Sequence, residues 1–204
     1  MNIYIQKQKI REYVWKILKD KKVALPPFPI KGRIPNFIGS DKAAELLRKT
    51  KIWEKSKIIF CSPDSPQRKV RELALVDDKT LIVASPRLSK GFIILENLKN
   101  AKEASTIVGM FKYGKIVENI DLKVDLAVVG SVAVDIKGNR IGKGKGYADL
   151  EIKYLKTLNK NLIVATTVHD LQVFEEIPAS EKDEKVDIIA TPSKIIETNK
   201  NVSL

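Results

Sequence analysis

Residues 142–146 read Gly-Lys-Gly-Lys-Gly, with a lysine in each gap between glycines. Two apolar runs precede them, Val124 to Val129 and Val132 to Val134, separated by Gly130-Ser131. Lys137-Gly138-Asn139 is a turn signal, and an amphipathic segment opens at Tyr147. A strand, a glycine–lysine loop and a helix start, in that order, suit a chain that holds phosphates. Glycines let backbone N–H groups approach an anion, the helix N-terminus adds partial positive charge, and lysines add full charge. The spacing is not that of a Walker loop, since no Gly-Lys-Ser/Thr follows. Nor is it a dinucleotide fingerprint, whose later glycines stand further apart. The competing reading is a surface hairpin with solubilising lysines.

The chain has 204 residues, 44% of them hydrophobic, enough for one sizeable core, and a single domain over 1–204 is expected. It contains no apolar run of about 18 residues, the length that crosses a membrane as a helix. The N-terminal MNIYIQKQKIREYVWKIL mixes charge with apolar residues, unlike a signal peptide. Cys61 is the single cysteine, so no internal disulfide forms and a cytoplasmic location is the simplest expectation. A net charge of +12 admits two readings. One is polyanion binding, to nucleotides, RNA or polyglutamylated cofactors. The other is a soluble, lysine-rich surface, which the scattered placement of the lysines favours. Monomer and dimer are both open.

In chain order, residues 6–19 are predicted helical, with Ile10, Val14, Ile17 and Leu18 on one face and Lys7, Arg11 and Lys19 off it. Leu25 to Pro35, with Pro26, Pro27, Pro29 and Pro35, is irregular and expected to lie against the body. Ser40 is the predicted N-cap of a helix near 41–49. Lys57 to Cys61 reads as a buried strand, followed by a helix with Ser65 as N-cap and Pro66 as its first residue. That helix is expected to bury Val70, Leu73 and Ala74 and to show Arg68, Lys69, Arg71 and Glu72 outside. Strands follow at Thr80 to Ala84 and Gly91 to Leu95, then a helix over 101–112. After the central stretch come strands at Leu162 to Thr167 and Val186 to Ala190. Short apolar strands alternating with helices indicate an α/β domain whose sheet is largely parallel and covered on both faces. Ligands of such sheets bind beyond the carboxyl ends of the strands. Ser62 and Asp64, Pro86 and Arg87, His169 and Asp170, and Thr191 all fall at predicted strand ends, suggesting one shared site.

Each candidate has a second reading. Arg140 either grips a phosphate or makes a salt bridge. Asp149 either holds magnesium or is a first-turn acidic residue favoured by the helix dipole. Tyr147 either stacks on a nucleotide or packs. Lys7 and Arg11, spaced i and i+4, share a direction that is functional or merely solvated. Arg87 is a candidate phosphate or substrate cation. His169, the one histidine, lacks partners for a zinc site. Cys61 reads as a buried small side chain, and Trp15 and Trp53 as packing residues.

Gly142, Gly144, Gly146, Tyr147, Ala148 and Asp149 resemble the Gly-x-Gly-x-Gly-Tyr-Tyr-Asp segment of the 5-formyltetrahydrofolate cyclo-ligase (methenyltetrahydrofolate synthetase) family. Val124-Asp125-Leu126, Val132 to Asp135 and Gly138-Asn139-Arg140 are similar to the strand and turn before it. Gln172, Glu176-Ile177-Pro178, Asp183, Val186-Asp187 and Thr191-Pro192 resemble its C-terminal segment, and Lys7 with Arg11 its N-terminal Lys-x-x-x-Arg helix. Arg33 to Phe37, Gly39-Ser40, Pro63-Asp64, Pro86-Arg87-Leu88 and Thr167 to Asp170 resemble most the divergent methenyltetrahydrofolate synthetase domain-containing branch. Three features differ from the classic pattern, the first being that its Gly-Ile-x-Glu-Pro segment is not recognisable near Gly91 to Glu96. Its Gly-Tyr-Tyr-Asp-Arg ending reads Gly-Tyr-Ala-Asp-Leu here, and Pro63 to Arg68 holds no equivalent of its folate-binding glutamate, leaving Glu72 as a weak substitute.

The resemblance implies a three-layer α/β/α fold of the NagB/RpiA/CoA-transferase-like type. It implies an ATP- and magnesium-dependent ligase in which ATP phosphorylates the formyl oxygen of 5-formyltetrahydrofolate. N10 then attacks, phosphate leaves, and 5,10-methenyltetrahydrofolate forms. Carried onto this chain, Lys7, Arg140 and Lys145 would be catalytic. Lys7, Arg11, Arg140, Gly142, Lys143, Gly144, Lys145, Gly146 and Tyr147 would bind the nucleotide. Arg87, His169 and Gln172 would face the folate, and Asp149 the Mg2+. The alternative is a non-catalytic nucleotide- or RNA-binding module that keeps the phosphate loop alone.

Overall fold

The computed structural model describes residues 2–85 and 91–198. Its centre is an eight-stranded sheet in the order β13-β12-β10-β7-β3-β4-β5-β6. Strands β3 (Ile58–Cys61), β4 (Thr80–Ala84), β7 (Leu126–Val129), β10 (Ile163–Thr167) and β12 (Ile188–Ala190) pair in parallel. These are the short apolar runs of the sequence, buried because both faces are covered. Edge strands β5 (Phe92–Leu95), β6 (Lys115–Val117) and β13 (Ile195–Glu197) add antiparallel pairings. The sheet is largely parallel, as expected, with its antiparallel pairings confined to the edges.

Alternation along each strand divides the core. Ile59, Cys61, Leu81, Val83, Leu126 and Val128 face one side and pack on α2 (Ser40–Arg48), α4 (Arg68–Val76) and α6 (Ile107–Tyr113). Phe60, Ile82, Ala127, Val129 and Val164 face the other and pack on Ile152 and Leu155 of α7 (Tyr147–Leu158). This is the three-layer arrangement that the sequence predicted. Each fully buried Leu, Ile or Val contributes roughly 1.5–3 kcal/mol relative to exposure, so these two clusters carry most of the fold.

Apart from it stand a short antiparallel pair, β1 (Ala24–Leu25) and β2 (Asn36–Phe37), and a three-stranded sheet that ends on β11 (Val173–Phe174). Strands β8 (Ala133–Asp135) and β9 (Arg140–Ile141) form a hairpin, and α1 (Ile3–Asp20) packs on it through Val14 and Leu18. Asp135, fully buried, fastens the hairpin turn: it accepts from the N–H groups of Lys137 (3.0 Å), Asn139 (2.9 Å) and Ile177 (3.1 Å). The proline stretch lies against the body, as expected, burying Ile30 and Ile34 beside α1. The glycine–lysine loop thus follows a strand of the small sheet and not one of the main sheet.

Several local expectations are corrected. Helix α2 is capped by Gly39 at φ +90°, and Ser40 is its first residue, because a left-handed cap favours glycine. After β3 a 3₁₀ turn, Ser65–Gln67, intervenes with Asp64 at its cap, and α4 starts only at Arg68. The helix expected over 101–112 is two, α5 (Ala101–Ala104) and α6, because Thr106 caps a new start by accepting from Gly109 N–H at 2.9 Å. Arg71 points inward and is 2% exposed. No described helix is long and apolar enough to cross a membrane.

Candidate functional site

A cleft of about 680 Å³ opens at the carboxyl ends of β3, β4 and β7. Ser62 and Asp64 follow β3, Ser85 follows β4, and Gly130 follows β7; all line it. Gly142, Lys143, Lys145, Gly146 and Tyr147 line it as well, with Arg140, Asp149 and Glu151. The central stretch of the sequence therefore does meet the strand ends at one place. His169, Asp170 and Thr191 do not line this cleft. They make a separate cluster, in which the Ser193 hydroxyl donates to Asp170 and the Ser193 N–H donates to Thr191 Oγ1 at 3.2 Å. The expectation of one shared site is corrected to that extent.

Local backbone chemistry builds the loop. Gly144 (φ +93°) and Gly146 (φ +72°) occupy left-handed conformations that favour glycine. Gly146 is the N-cap of α7 and no side chain caps the helix, so its first-turn N–H groups are left for a ligand. Behind the loop, Arg11 Nε donates to the Gly142 carbonyl at 2.7 Å. Arg11 is buried, and that burial pulls its pKa below the ordinary arginine value despite Tyr4 and Asp183 nearby. Neither Arg11 nor Lys7 lines the cleft. Lys7 forms an ion pair with Asp183, which ties α1 to the 180–184 turn. The solvated reading of both residues fails: Arg11 supports the loop from behind, and Lys7 holds α1 to the 180–184 turn.

Arg140 is almost wholly buried and doubly engaged. Its Nη2 donates to Asp149 Oδ1 at 2.7 Å and its Nη1 to the Gly130 carbonyl at 3.2 Å. Its buried Nε has no hydrogen-bond partner among the described residues. Asp149 Oδ1 also accepts from Glu184 N–H at 3.1 Å. Lys143 reaches Asp64, Nζ to Oδ1 3.0 Å, while Lys145 makes no ion pair with any described residue. No three His, Cys, Asp or Glu side chains among the described residues stand together as a metal cage. A magnesium ion arriving on nucleotide phosphates needs only one or two carboxylates. Asp149 Oδ2, in the cleft wall and hydrogen-bonded to no described residue, fits that requirement.

Glu151 was not singled out by sequence. It is 6% exposed, lines the cleft, and accepts no hydrogen bond from a described residue. Burial, reinforced by the charge of Asp64, pushes its carboxyl up to about 8, against the pull of Arg140 and Lys143. A signal was available. Glu151 stands three residues after Ala148 and four before Leu155, on the apolar stripe of α7.

Two further candidates stand outside the cleft lining. His169 caps a 3₁₀ turn, with Nδ1 accepting from Leu171 N–H at 3.1 Å and its ring edge-on to Phe37. Burial pulls its pKa down, against Asp170. Gln172, fully buried, accepts from His169 N–H at 2.8 Å and donates to the Ser131 and Val132 carbonyls. Glu72 is paired with Lys69 and stands outside the cleft lining. Cys61 is a buried core side chain, its thiol pushed up to about 12 by burial. Trp15 and Trp53 are packing residues, as expected. Arg87 lies outside the described residues.

Comparison with known proteins gives a consistent result. The 5-formyltetrahydrofolate cyclo-ligase family matches residues 4–192. A methenyltetrahydrofolate synthase domain-containing protein of Bos taurus is 39% identical over 207 residues, covering 95% of this chain and 54% of that protein. A mitochondrial 5-formyltetrahydrofolate cyclo-ligase of Arabidopsis thaliana is 27% identical over 146 residues, covering 68% of this chain and 52% of that protein. The chain thus spans about half the length of these curated relatives. The solution structure of Aquifex aeolicus 5,10-methenyltetrahydrofolate synthetase shares the fold, with a TM-score of 0.63 at 22% identity, covering 97% of this chain and 95% of that one.

Proposed function

The chain belongs to the 5-formyltetrahydrofolate cyclo-ligase family, and we propose that it uses ATP to convert 5-formyltetrahydrofolate, or a closely related reduced pterin, to the cyclised methenyl product. The observation that carries this reading is the Gly142–Gly146 loop. It brings two lysines and an uncapped helix N-terminus to a cleft that the strand ends also line. Transfer of a phosphoryl group asks little of acid–base side chains and much of positioned positive charge.

In this reading Lys143 and Lys145 hold the transferring phosphates together with the loop and α7 N–H groups. Arg11 fixes the loop through the Gly142 carbonyl, and Lys7 fixes α1 to the turn that lends Glu184 N–H to Asp149. Arg140 orients Asp149. Tyr147 lines the nucleotide side. Asp149 Oδ2 would hold magnesium, which supplies charge neutralisation of the phosphates when bound. The test is turnover of 5-formyltetrahydrofolate with magnesium-ATP, read as methenyl absorbance in the near ultraviolet. Absence of turnover with that compound and with close reduced pterins overturns the proposal.

A second reading, a nucleotide- or RNA-binding module without turnover, draws support from the ion pairs that already engage Lys7 and Lys143. It predicts polynucleotide affinity that falls steeply with salt.

A further inference from the structure

We infer that Glu151 is the specificity-determining residue for the second ligand of the cleft, accepting hydrogen bonds from adjacent N–H donors on a heterocycle such as the 2-amino, ring N–H edge of a reduced pterin. The identity of the heterocycle rests on the cyclo-ligase reading. The role of Glu151 rests on the cleft itself.

A glutamate this buried is rare unless something pairs with it. Glu151 is 6% exposed, faces the cleft, and receives no hydrogen bond from a described residue. The two cations whose charge acts on it, Arg140 and Lys143, already have other partners. Arg140 donates to Asp149 and the Gly130 carbonyl, and Lys143 pairs with Asp64. The carboxyl is therefore an acceptor held ready inside a binding cleft. At Glu151 itself an anionic group is the wrong partner, because Asp64 and Asp149 add negative charge there, whereas the lysines of the loop hold the phosphates. A ligand bringing N–H donors is the right one.

Position along α7 supports the division of the cleft. Tyr147 begins the helix at the glycine–lysine loop, and Glu151 follows four residues later. That is about one turn, roughly 6 Å along the axis. Phosphates at the loop and a heterocycle at Glu151 would then be neighbours without overlapping. Ile34 and Ile107 also line the cleft and offer apolar surface for a flat ring.

The experiment compares binding of 5-formyltetrahydrofolate with its 2-deamino-2-methyl analogue, and of the matching free reduced pterins, by titration calorimetry. It uses the full chain, with and without a non-hydrolysable ATP analogue and magnesium. The wild-type protein is expected to prefer the 2-amino compound by about 10- to 100-fold, what leaving a buried carboxyl without its partner costs. Glu151→Gln, nearly isosteric, and Glu151→Leu are expected to erase that preference while leaving magnesium-nucleotide affinity within about twofold. A wild-type protein that binds both analogues equally overturns the inference without any variant. So do variants that keep the preference, or that lose only magnesium-nucleotide affinity. If no cyclisation occurs but Glu151 still discriminates among reduced pterins, the cyclo-ligase reading falls and the inference stands. Cyclisation with the preference intact in both variants has the opposite meaning, and binding of no reduced pterin at all removes both.

Discussion

Lys143 Nζ stands 3.0 Å from Asp64 Oδ1, an ion pair that joins the glycine–lysine loop to the end of β3 across the cleft. The pair is partly exposed, so its worth is about 1 kcal/mol or less. An incoming phosphate and Asp64 compete for the same ammonium. Asp64→Asn is therefore expected to tighten binding of pyrophosphate or magnesium-free ATP by about 3- to 10-fold at low salt, an advantage that shrinks as salt rises. Lys143→Ala should weaken it by a similar factor. Calorimetric titration at two ionic strengths checks both signs. Weaker binding by the Asp64→Asn protein would make Asp64 a ligand holder and not a competitor.

Arg11 acts on the same loop from the other side. Its Nε donates to the Gly142 carbonyl, and Gly144 packs over the guanidinium, where an added Cβ would lie 3.6 Å from its Cζ. Arg11→Ala leaves a carbonyl without its donor and a hole beneath a left-handed glycine. The expected loss is about 1–3 kcal/mol in urea unfolding, with a KM for ATP raised more than kcat is lowered. Arg11→Lys keeps the charge but loses the Nε–H geometry, so it should recover stability only in part. Full recovery by lysine would show that charge alone matters.

The acid limb of stability offers a third test. Burial raises the Asp183 carboxyl, but the Lys7 ammonium and the N–H and hydroxyl of Ser180 outweigh it and hold the group below the usual carboxylate range. A depressed folded-state value stabilises the fold above the unfolded-state pKa. That contribution is lost as pH falls through the folded value. Melting temperatures measured from pH 7 down to pH 3 should therefore drop less steeply for Asp183→Asn than for the wild-type chain. The variant should start lower at neutral pH, since the ion pair with Lys7 is gone. Parallel curves would show that Asp183 does not carry the acid transition.

The parts of this fold that could be read from sequence share a physical cause. Strands β3, β4, β7 and β10 are runs apolar on both faces, and a covered parallel sheet needs nothing else to place them. The start of α7 was legible because Gly146 and Tyr147 mark a loop-to-helix boundary. Buried polar side chains were not legible. Arg11, Arg71 and Glu151 lie on amphipathic helices, where a charge reads as a solvent-facing residue. Only the backbone carbonyls and the cleft brought by distant segments make burial possible for them. The cap of α2 escaped for a related reason: Ser40 has the right side chain, but the backbone at Gly39 is left-handed. The antiparallel edges β5, β6 and β13 depend on partners that no local pattern specifies.

Arg71 gives the sharpest stability prediction. It is 2% exposed and donates through Nε to the Ser105 carbonyl (3.0 Å) and through Nη1 to the Ser62 (2.7 Å) and Asp64 (3.0 Å) carbonyls. Those acceptors sit at the break between α5 and α6 and on the loop that carries Asp64 into the cleft. One guanidinium therefore joins the α4 layer to the cleft floor. Burial lowers its pKa, against the counter-pull of Cys61 and Asp64. Arg71→Met keeps most of the volume and leaves three carbonyls without their donor, those of Ser105 and Ser62 in the interior and that of Asp64 at the cleft. Each acceptor that water cannot reach is expected to cost about 1–3 kcal/mol, so the total exceeds the Arg11→Ala effect. Arg71→Lys should retain one of the hydrogen bonds at most and fall between. Urea unfolding measures the loss, and binding of magnesium-ATP measures whether the Ser62–Asp64 loop has shifted. A methionine variant as stable as the wild-type chain would mean that the carbonyls find water, and that Arg71 is not what holds the cleft floor.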